Sequence, residues 1–227
     1  MQEHKYAFFD FCETLVSFQT ADAFVDYIRS MRKNKRMENL ESVQLFLRRF
    51  FIIRILEKIT GYRLSINKRL KLFQLKGISQ PEVEKYSYMY YVDKVKPNFI
   101  HVILNQLILL KKEGYHIFLV SGGYDVYLKH FVNEFNLDGI ISTRIGFRNG
   151  ICTGKFNGVD CLNENKIKLL NKVFREKPKT TISFSDSKSD LPFLNWTNEG
   201  VVISKNVSQD WAINNNFKEI VWDSVKN

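Results

Sequence analysis

YAFFDFCETL, residues 6–15, is the stretch that decides the fold of this 227-residue chain. Its first four residues form a short apolar run rich in aromatic side chains, which predicts a buried parallel strand. Asp10 follows that strand directly. In open α/β sheets, ligands collect beyond the carboxyl ends of the strands, so the segment from Asp10 to Thr14 is the first candidate for a functional site.

Strands and helices alternate through the second half of the chain. Pro97 is predicted to open a helix that continues to about Lys112 and stops at Gly114. The later patterns predict strands at 116–120, 139–142, 180–184, 201–203 and 219–221, helices at 125–135 and 164–174, and a hairpin at 144–156 around Asn149-Gly150. This alternation predicts an α/β fold with a doubly wound parallel-sheet, Rossmann-like core.

A helical insert separates the first strand from the rest of this core. Apolar residues recur at helical spacing from about residue 20 to residue 91, and no proline interrupts the chain before Pro81. The pattern predicts three to five helices. Residues 17–98 hold 17 Lys and Arg against 8 Asp and Glu, whereas the remainder holds 17 against 16. This segment therefore carries nearly the whole net charge of +10, which favours anionic partners.

Composition narrows the class of protein. No apolar run reaches the ~20 residues of a membrane-spanning helix, and the N-terminus lacks the apolar stretch of a signal peptide. The three cysteines form no CxxC pair, which favours reduced thiols. We therefore expect a cytoplasmic protein.

Polar residues follow two further predicted strands. Ser121, Gly122 and Gly123 come after the second strand, and the segment 185–190 (SDSKSD) comes after a later one. Lys166 begins the helix that precedes this later strand. Clustered carboxylates repel unless a cation holds them, and oxygen ligands beside phosphate favour Mg²⁺. Backbone N–H groups, a hydroxyl and an ammonium bind phosphate oxygens.

With these segments the chain resembles the haloacid dehalogenase-like (HAD) superfamily, and within it the phosphoserine phosphatase-like branch. Four motifs occur in family order: FFDFCETL, LVSGG, the Lys166 region and SFSDSKSDLPFL. In this branch a helical cap follows the first motif. The resemblance thus implies a core domain of residues 1–16 and 97–227, with residues 17–96 as an inserted helical cap subdomain. Early cap residues such as Thr20, Asp22 and Phe24 are expected to select the substrate.

The resemblance also implies how a phosphoryl group is held. Asp10 is the nucleophile that forms an aspartyl-phosphate. Ser121 and Lys166 bind and neutralise the transferring group, with the backbone of Gly122 and Gly123 beside them. Lys166 is preferred to Lys168 because Cys161, Asn163 and Lys166 match the family pattern Cys-x-Gly-x-x-Lys, with Asn163 in place of glycine.

A Mg²⁺ site is implied by the same resemblance. The side chains of Asp10 and Asp186 and the backbone carbonyl of Cys12 are its ligands, and Asp190 completes the acidic cluster from the second shell. Thr14 orients the nucleophile loop. These residues imply a Mg²⁺-dependent phosphomonoester phosphatase that acts on a small phosphorylated metabolite.

The first motif departs from the family pattern DxDxT. The second Asp, which protonates the leaving oxygen and then activates water, is Cys12 here, and the usual Gly is Glu13. General acid–base help contributes roughly 10²–10⁴-fold, so the change matters. Three alternatives stay open: Cys12 moves the proton, Glu13 moves it, or the phosphoryl group passes to an acceptor other than water. The chain is then a phosphatase, a phosphotransferase, or a weakly active or non-catalytic phosphate-binding protein.

The basic insert admits two interpretations. Scattered Lys and Arg usually form a solvated helical face. Alternatively, a basic–apolar surface clasps a large anionic substrate or rests on an acidic membrane. The residues of that surface would be Arg48, Arg49, Arg54, Phe50, Phe51, Ile52 and Ile53. Nucleic acid is disfavoured as a partner because no recognised nucleic-acid motif accompanies the charge.

Overall fold

The computed structural model of the chain describes residues 4–32 and 65–223. The predicted basic–apolar surface around Arg48 and Arg54 lies outside the described residues. Within the two described ranges, no helix is both long and apolar enough to cross a bilayer.

A six-stranded parallel sheet forms the core, in the strand order β3-β2-β1-β6-β7-β8. Its strands are β1 (Lys5–Phe9), β2 (Tyr115–Tyr124), β3 (Gly139–Thr143), β6 (Thr180–Ser185), β7 (Glu199–Lys205) and β8 (Lys218–Trp222). A separate antiparallel hairpin is formed by β4 (Ile145–Arg148) and β5 (Ile151–Phe156). The predicted α/β fold with a parallel, Rossmann-like sheet is confirmed.

Helices cover both faces of this sheet, and the side chains of β1 are accordingly buried on both faces. Ala7, Phe8 and Phe9 are all fully buried, although successive side chains of a strand point to opposite faces. Phe8 packs in one apolar cluster with Leu170 and Phe193, while Ala7 and Phe9 belong to the larger cluster on the other face. A central parallel strand must be apolar on both sides because neither side reaches water.

The structure has eight α-helices in the described residues. They are α1 (Thr20–Arg32), α2 (Ile66–Phe73), α3 (Gln80–Tyr90), α4 (His101–Lys112), α5 (Asp125–Glu134), α6 (Glu164–Val173), α7 (Leu191–Trp196) and α8 (Asp210–Asn214). A π-helical turn (Tyr91–Val95) and a 3₁₀ turn (Lys96–Asn98) follow α3, and a second 3₁₀ turn (Lys188–Asp190) precedes α7. The division into core and cap stays a prediction, with α1, α2 and α3 inside the segment 17–96.

The expected start of a helix at Pro97 is wrong. Pro97 lies in the 3₁₀ turn, and α4 begins only at His101. The intervening Phe99 is extended and forms an antiparallel bridge with Val16, and the Ile100 N–H donates to the Leu15 carbonyl at 2.9 Å. Pairing with Leu15 and Val16, which follow β1, therefore holds this segment out of the helix.

The β4–β5 hairpin fixes the position of α2. Its turn is Asn149-Gly150, as predicted, and both residues have positive φ. β5 then bonds to the chain after α2: Gly77 N–H donates to Cys152 O at 2.9 Å, and Cys152 N–H donates to Ile78 O at 2.8 Å. Gly154 of β5 lies directly against the backbone of Phe73, the last residue of α2.

Gly154→Ala is expected to lower the free energy of unfolding by about 2–3 kcal/mol. The φ of Gly154 is +69°, and a Cβ there would lie 3.0 Å from the Phe73 Cα. The matched control is Gly150→Ala in the same hairpin, where φ is +72° but no atom lies within 4 Å. An alanine at Gly150 would have an unfavourable backbone conformation but no steric clash, so the free energy of unfolding is expected to fall by about 1 kcal/mol. Urea denaturation measures both, and equal losses would show that the contact with α2 is unimportant.

Candidate active site

Strand register brings three of the predicted site residues to one edge of the sheet. β1 lies between β2 and β6, and Phe9 is level with Leu119 on one side and Phe184 on the other. Asp10, Ser121 and Asp186 therefore leave adjacent strands within one residue of the same height. The Asp10 N–H donates to the Phe184 carbonyl at 2.9 Å, which extends the pairing past the end of β1.

Lys166 joins this edge from α6. Its side chain is only 2% exposed, and its ammonium lies 2.9 Å from Asp10 Oδ1 and 2.5 Å from Asp190 Oδ2. Ser185 Oγ also donates to Asp190 Oδ2, at 2.6 Å. Burial by itself would lower the pKa of Lys166, but the carboxylates of Asp10 and Asp190 outweigh it and raise that pKa. Lys166 is therefore a permanently charged cation that links two of the predicted aspartates.

Thr14 links the nucleophile loop to Asp186. The Asp186 N–H donates to Thr14 Oγ1 at 3.1 Å, and Thr14 Oγ1 donates to Asp186 Oδ1 at 3.3 Å. Burial, together with the charges of Asp10 and Glu13, raises the pKa of Asp186 to about 8. Burial also raises the pKa of Asp10, and Asp190 adds to this effect. Both carboxyl groups therefore lose their protons less readily than a solvent-exposed aspartate does.

Ser121 is fully buried inside β2, where the pairing with β3 becomes irregular, and not after the strand as the sequence predicted. Its Oγ accepts a hydrogen bond from the Gly123 N–H at 3.2 Å. Neither glycine of this segment has room for a side chain: a Cβ on Gly122 would lie 2.4 Å from Leu162 Cδ2, and one on Gly123 would lie 2.7 Å from the Tyr127 hydroxyl. The backbone therefore packs closely against Leu162 and Tyr127 at these two positions.

The thiol of Cys12 is engaged by the start of α1. Its Sγ lies 3.0 Å from Thr20 Oγ1 and accepts from the Thr20 N–H at 3.5 Å, while Thr20 Oγ1 lies 2.7 Å from the Tyr127 hydroxyl. Burial and the nearby Asp10 carboxylate raise the pKa of Cys12 to about 11. The thiol is therefore a weak proton donor at neutral pH.

Glu13 differs from Cys12 in both backbone and environment. It has φ of +54°, in the left-handed region that favours glycine, the residue the family pattern has at this position. Its side chain is exposed, and Oε2 accepts from Gln19 Nε2 at 2.5 Å. A glutamate held in this conformation costs about 1–2 kcal/mol relative to the right-handed region, and its carboxylate borders the same crevice as Asp10.

A cavity of about 220 Å³ opens over these groups. It is lined by Asp10, Cys12, Glu13, Gln19, Ala21, Lys68, Ser121, Gly122, Leu162, Lys166, Asp186, Ser187, Ser189 and Asp190. The expectation that Thr20, Asp22 and Phe24 face the crevice is wrong. None of the three lines this cavity, whereas Gln19 and Ala21, at the start of the predicted cap, do.

Lys68 of α2 is a cavity residue that sequence reasoning missed. Nothing in the sequence distinguishes it from the other Lys and Arg of the basic insert, because its position depends on how α2 packs on the hairpin.

Asp10 and Asp186 are suited to hold a divalent cation. Among the described residues, no group of three or more His, Cys, Asp and Glu side chains is arranged as a complete metal site. Mg²⁺ needs less than this, because it usually takes one or two protein carboxylates and fills its other positions with water and phosphate oxygens. Asp10 and Asp186 line the same cavity and offer carboxylate oxygens, which are the ligands that Mg²⁺ prefers, so the donor set fits such an ion.

The model of the haloacid dehalogenase-like hydrolases matches residues 7–195, most of the chain. The chain belongs to this family. A curated relative, phosphoserine phosphatase of Archaeoglobus fulgidus, is 24% identical over 163 residues, which are 70% of this chain and 45% of the relative. The chain spans less than half the length of the curated relatives it matches.

Solved structures share the fold of this HAD-family chain. A Bordetella pertussis protein of unknown function has a TM-score of 0.78 at 18% identity, over 96% of this chain and 99% of that one. A phospho-aspartyl intermediate analogue of phosphoserine phosphatase has a TM-score of 0.58 at 16% identity, over 97% and 94% of the two chains. The family match and these relatives place the chain in the phosphoserine phosphatase-like branch of the family.

Proposed function

We propose that this chain is a Mg²⁺-dependent phosphatase that hydrolyses a small phosphomonoester through an aspartyl-phosphate on Asp10. The observation that carries the proposal is the buried cluster in which Lys166 bridges Asp10 and Asp190 at the carboxyl end of β1. The name of the curated relatives supports a phosphomonoester as the substrate. In this proposal the segment 17–96 is the cap that closes over the substrate and excludes water.

In the first step, a carboxylate oxygen of Asp10 attacks phosphorus. The bond between phosphorus and the ester oxygen breaks, and its electron pair leaves with that oxygen, which takes up a proton. Lys166 and the Ser121 hydroxyl stabilise the charge on the phosphoryl oxygens in the transition state. In the second step, water attacks the aspartyl-phosphate and loses a proton, which releases phosphate and restores Asp10.

Mg²⁺ would be held by the side chains of Asp10 and Asp186 together with the backbone carbonyl of Cys12, and would supply charge neutralisation for the phosphoryl group. Asp190 supports this arrangement indirectly, because its carboxylate is bonded to Lys166 and Ser185. Thr14 keeps Asp186 in place through the two hydrogen bonds between them.

The proton of the first step comes, in this proposal, from Glu13. Cys12 is unsuited because its thiol is bonded to Thr20 and its pKa is raised to about 11 by burial and Asp10. The carboxyl group of Glu13 lies in the cavity wall beside Gln19, which holds it. Glu13 would then accept the proton of the attacking water in the second step.

Asp10→Asn is expected to abolish Mg²⁺-dependent hydrolysis of p-nitrophenyl phosphate, a loss of at least about 10³-fold, because an amide is a far weaker nucleophile than a carboxylate. The assay follows p-nitrophenolate release with Mg²⁺ and with EDTA. Asp210→Asn, in the distant helix α8, is the matched control and should keep full activity. Equal activity of the Asp10→Asn variant and the unchanged protein would end the proposal, and binding of phosphate without turnover in either would favour a phosphate-binding protein.

Glu13→Gln is expected to lower kcat/KM about 10²-fold for an alkyl phosphate, such as phosphoserine, and less than tenfold for p-nitrophenyl phosphate. The reason is that p-nitrophenolate is a stable anion and leaves with little protonation, whereas an alkoxide needs the proton. Cys12→Ser, which keeps a hydroxyl beside Thr20, is the control and should change both values little. A uniform loss on both substrates would contradict the acid role of Glu13 and leave transfer to another acceptor as the better account.

A further inference from the structure

Lys68 reaches from α2 into the core of the protein. Its side chain is 12% exposed, and its ammonium donates to the Gly122 carbonyl at 2.5 Å, to Thr143 Oγ1 at 3.1 Å and to the carboxylate of Asp160. An ammonium has three N–H donors, so these three acceptors can use all of them. Although Lys68 borders the cavity, its hydrogen bonds therefore go to the protein rather than to a substrate.

The acceptors around Lys68 are themselves fixed. Asp160 is 3% exposed, and its Oδ1 accepts from Thr143 Oγ1 at 2.6 Å. Thr143 Oγ1 in turn accepts from the Cys161 N–H at 3.0 Å. The rings of Tyr124 and Phe156 lie with their centroids 5.3 and 5.4 Å from the ammonium. A buried carboxylate and two aromatic faces thus hold the cation in one place.

The contact with Gly122 bears on the orientation of one peptide group. The Gly122 carbonyl and the Gly123 N–H belong to the same planar unit and point in opposite directions. With the carbonyl held by Lys68, the N–H points away from it and donates to Ser121 Oγ at 3.2 Å. Because the Ser121 oxygen accepts this bond, its own hydrogen remains available to a group in the cavity.

This peptide needs such a restraint because both of its flanking residues are glycine. Glycine populates more of φ/ψ space than any other residue, so a Gly-Gly peptide reorients easily. Side chains cannot provide the restraint, since a Cβ at Gly122 or Gly123 would collide with Leu162 or Tyr127. A hydrogen bond to the carbonyl from outside the loop restrains the peptide, and Lys68 supplies it.

We propose that Lys68 is a positioning residue that sets the phosphate-binding loop: it fixes the 122–123 peptide so that Ser121 presents its hydroxyl hydrogen to a phosphoryl oxygen. The inference rests on the proposed function only in taking Ser121 as a phosphate ligand. It also gives α2 a part in catalysis, because the cap segment then completes the loop on the core that receives the phosphoryl group.

A double-mutant cycle between Lys68→Met and Ser121→Ala tests this coupling. Asp160→Asn accompanies Lys68→Met wherever the latter is made, and the two count as one change in the cycle, so that loss of the ammonium leaves no unpaired buried carboxylate. Isothermal titration calorimetry with inorganic phosphate in excess Mg²⁺ measures affinity. Lys68→Met is expected to weaken phosphate binding about tenfold when Ser121 is present, and less than about twofold when residue 121 is alanine.

Equal weakening in both backgrounds would overturn the proposal, since Lys68 would then act on phosphate by its charge or by direct contact. No weakening in the presence of Ser121 would overturn it as well. Lys85→Met, which removes an exposed positive charge from α3, is the matched control and should leave affinity unchanged. Thermal unfolding checks that each variant is folded, and Lys68→Gln replaces Lys68→Met in the cycle if the latter is not.

The measurement separates this inference from the proposed function. Phosphate binding needs no turnover, so loss of the Asp10 chemistry would leave the cycle readable. Conversely, an active phosphatase in which the two substitutions are additive would retain the proposed function and lose only the role of Lys68.

Discussion

The buried ammonium of Lys166 between Asp10 and Asp190 is the interaction on which the site depends. All three side chains are almost fully buried, and a charge in such a place is stable only when it is paired. The pairing ties α6 to the end of β1 and to the turn that follows β6. Asp186 stands beside this cluster, and burial together with the charges of Asp10 and Glu13 raises its pKa to about 8. In the proposed function a divalent cation would supply positive charge beside these carboxyl groups.

Much of the layout of the site could be predicted from short stretches of sequence, because the fold brings together the residues that follow neighbouring parallel strands. Asp10, Ser121 and Asp186 each follow an apolar run, and in a parallel sheet the residues after neighbouring strands must meet. The hairpin at Asn149-Gly150 was equally predictable, since its turn residues adopt the positive φ that such a turn requires. In both cases a few consecutive residues determine the outcome.

Other features depend on contacts between segments that are distant in the sequence, and no local sequence pattern predicts them. Phe99 stays out of a helix only because Val16 pairs with it, and Lys68 enters the core only because Gly154 lets the hairpin lie against α2. The hydrogen-bond partners of Cys12 are another feature that no local sequence pattern predicts. Its sequence position suggests an active-site acid, whereas the structure directs its thiol to Thr20 and the Tyr127 hydroxyl network.

The two departures in the first motif, Cys12 and Glu13, fall at the positions to which the family resemblance assigns proton transfer and the following glycine. Glu13 adopts a backbone conformation that suits glycine, and such strain is found where function over-rides local preference. The carboxylate of Glu13 lines the cavity. The thiol of Cys12 lines it as well, but its raised pKa makes it a weak acid. In the proposed function an ordinary phosphate site would thus be combined with an unusual proton donor, Glu13, and the Lys68 network would link the phosphate site to the predicted cap.

Direct observation of a covalent intermediate tests whether Asp10 is the residue that attacks phosphorus. The protein is mixed with p-nitrophenyl phosphate and Mg²⁺, quenched in acid within milliseconds, digested and mapped by mass spectrometry. If Asp10 is the nucleophile, a phosphoryl adduct is expected on the peptide that contains Asp10, formed as fast as the burst of p-nitrophenolate. Turnover with the adduct on another residue, or with no adduct and no burst, would contradict this role of Asp10.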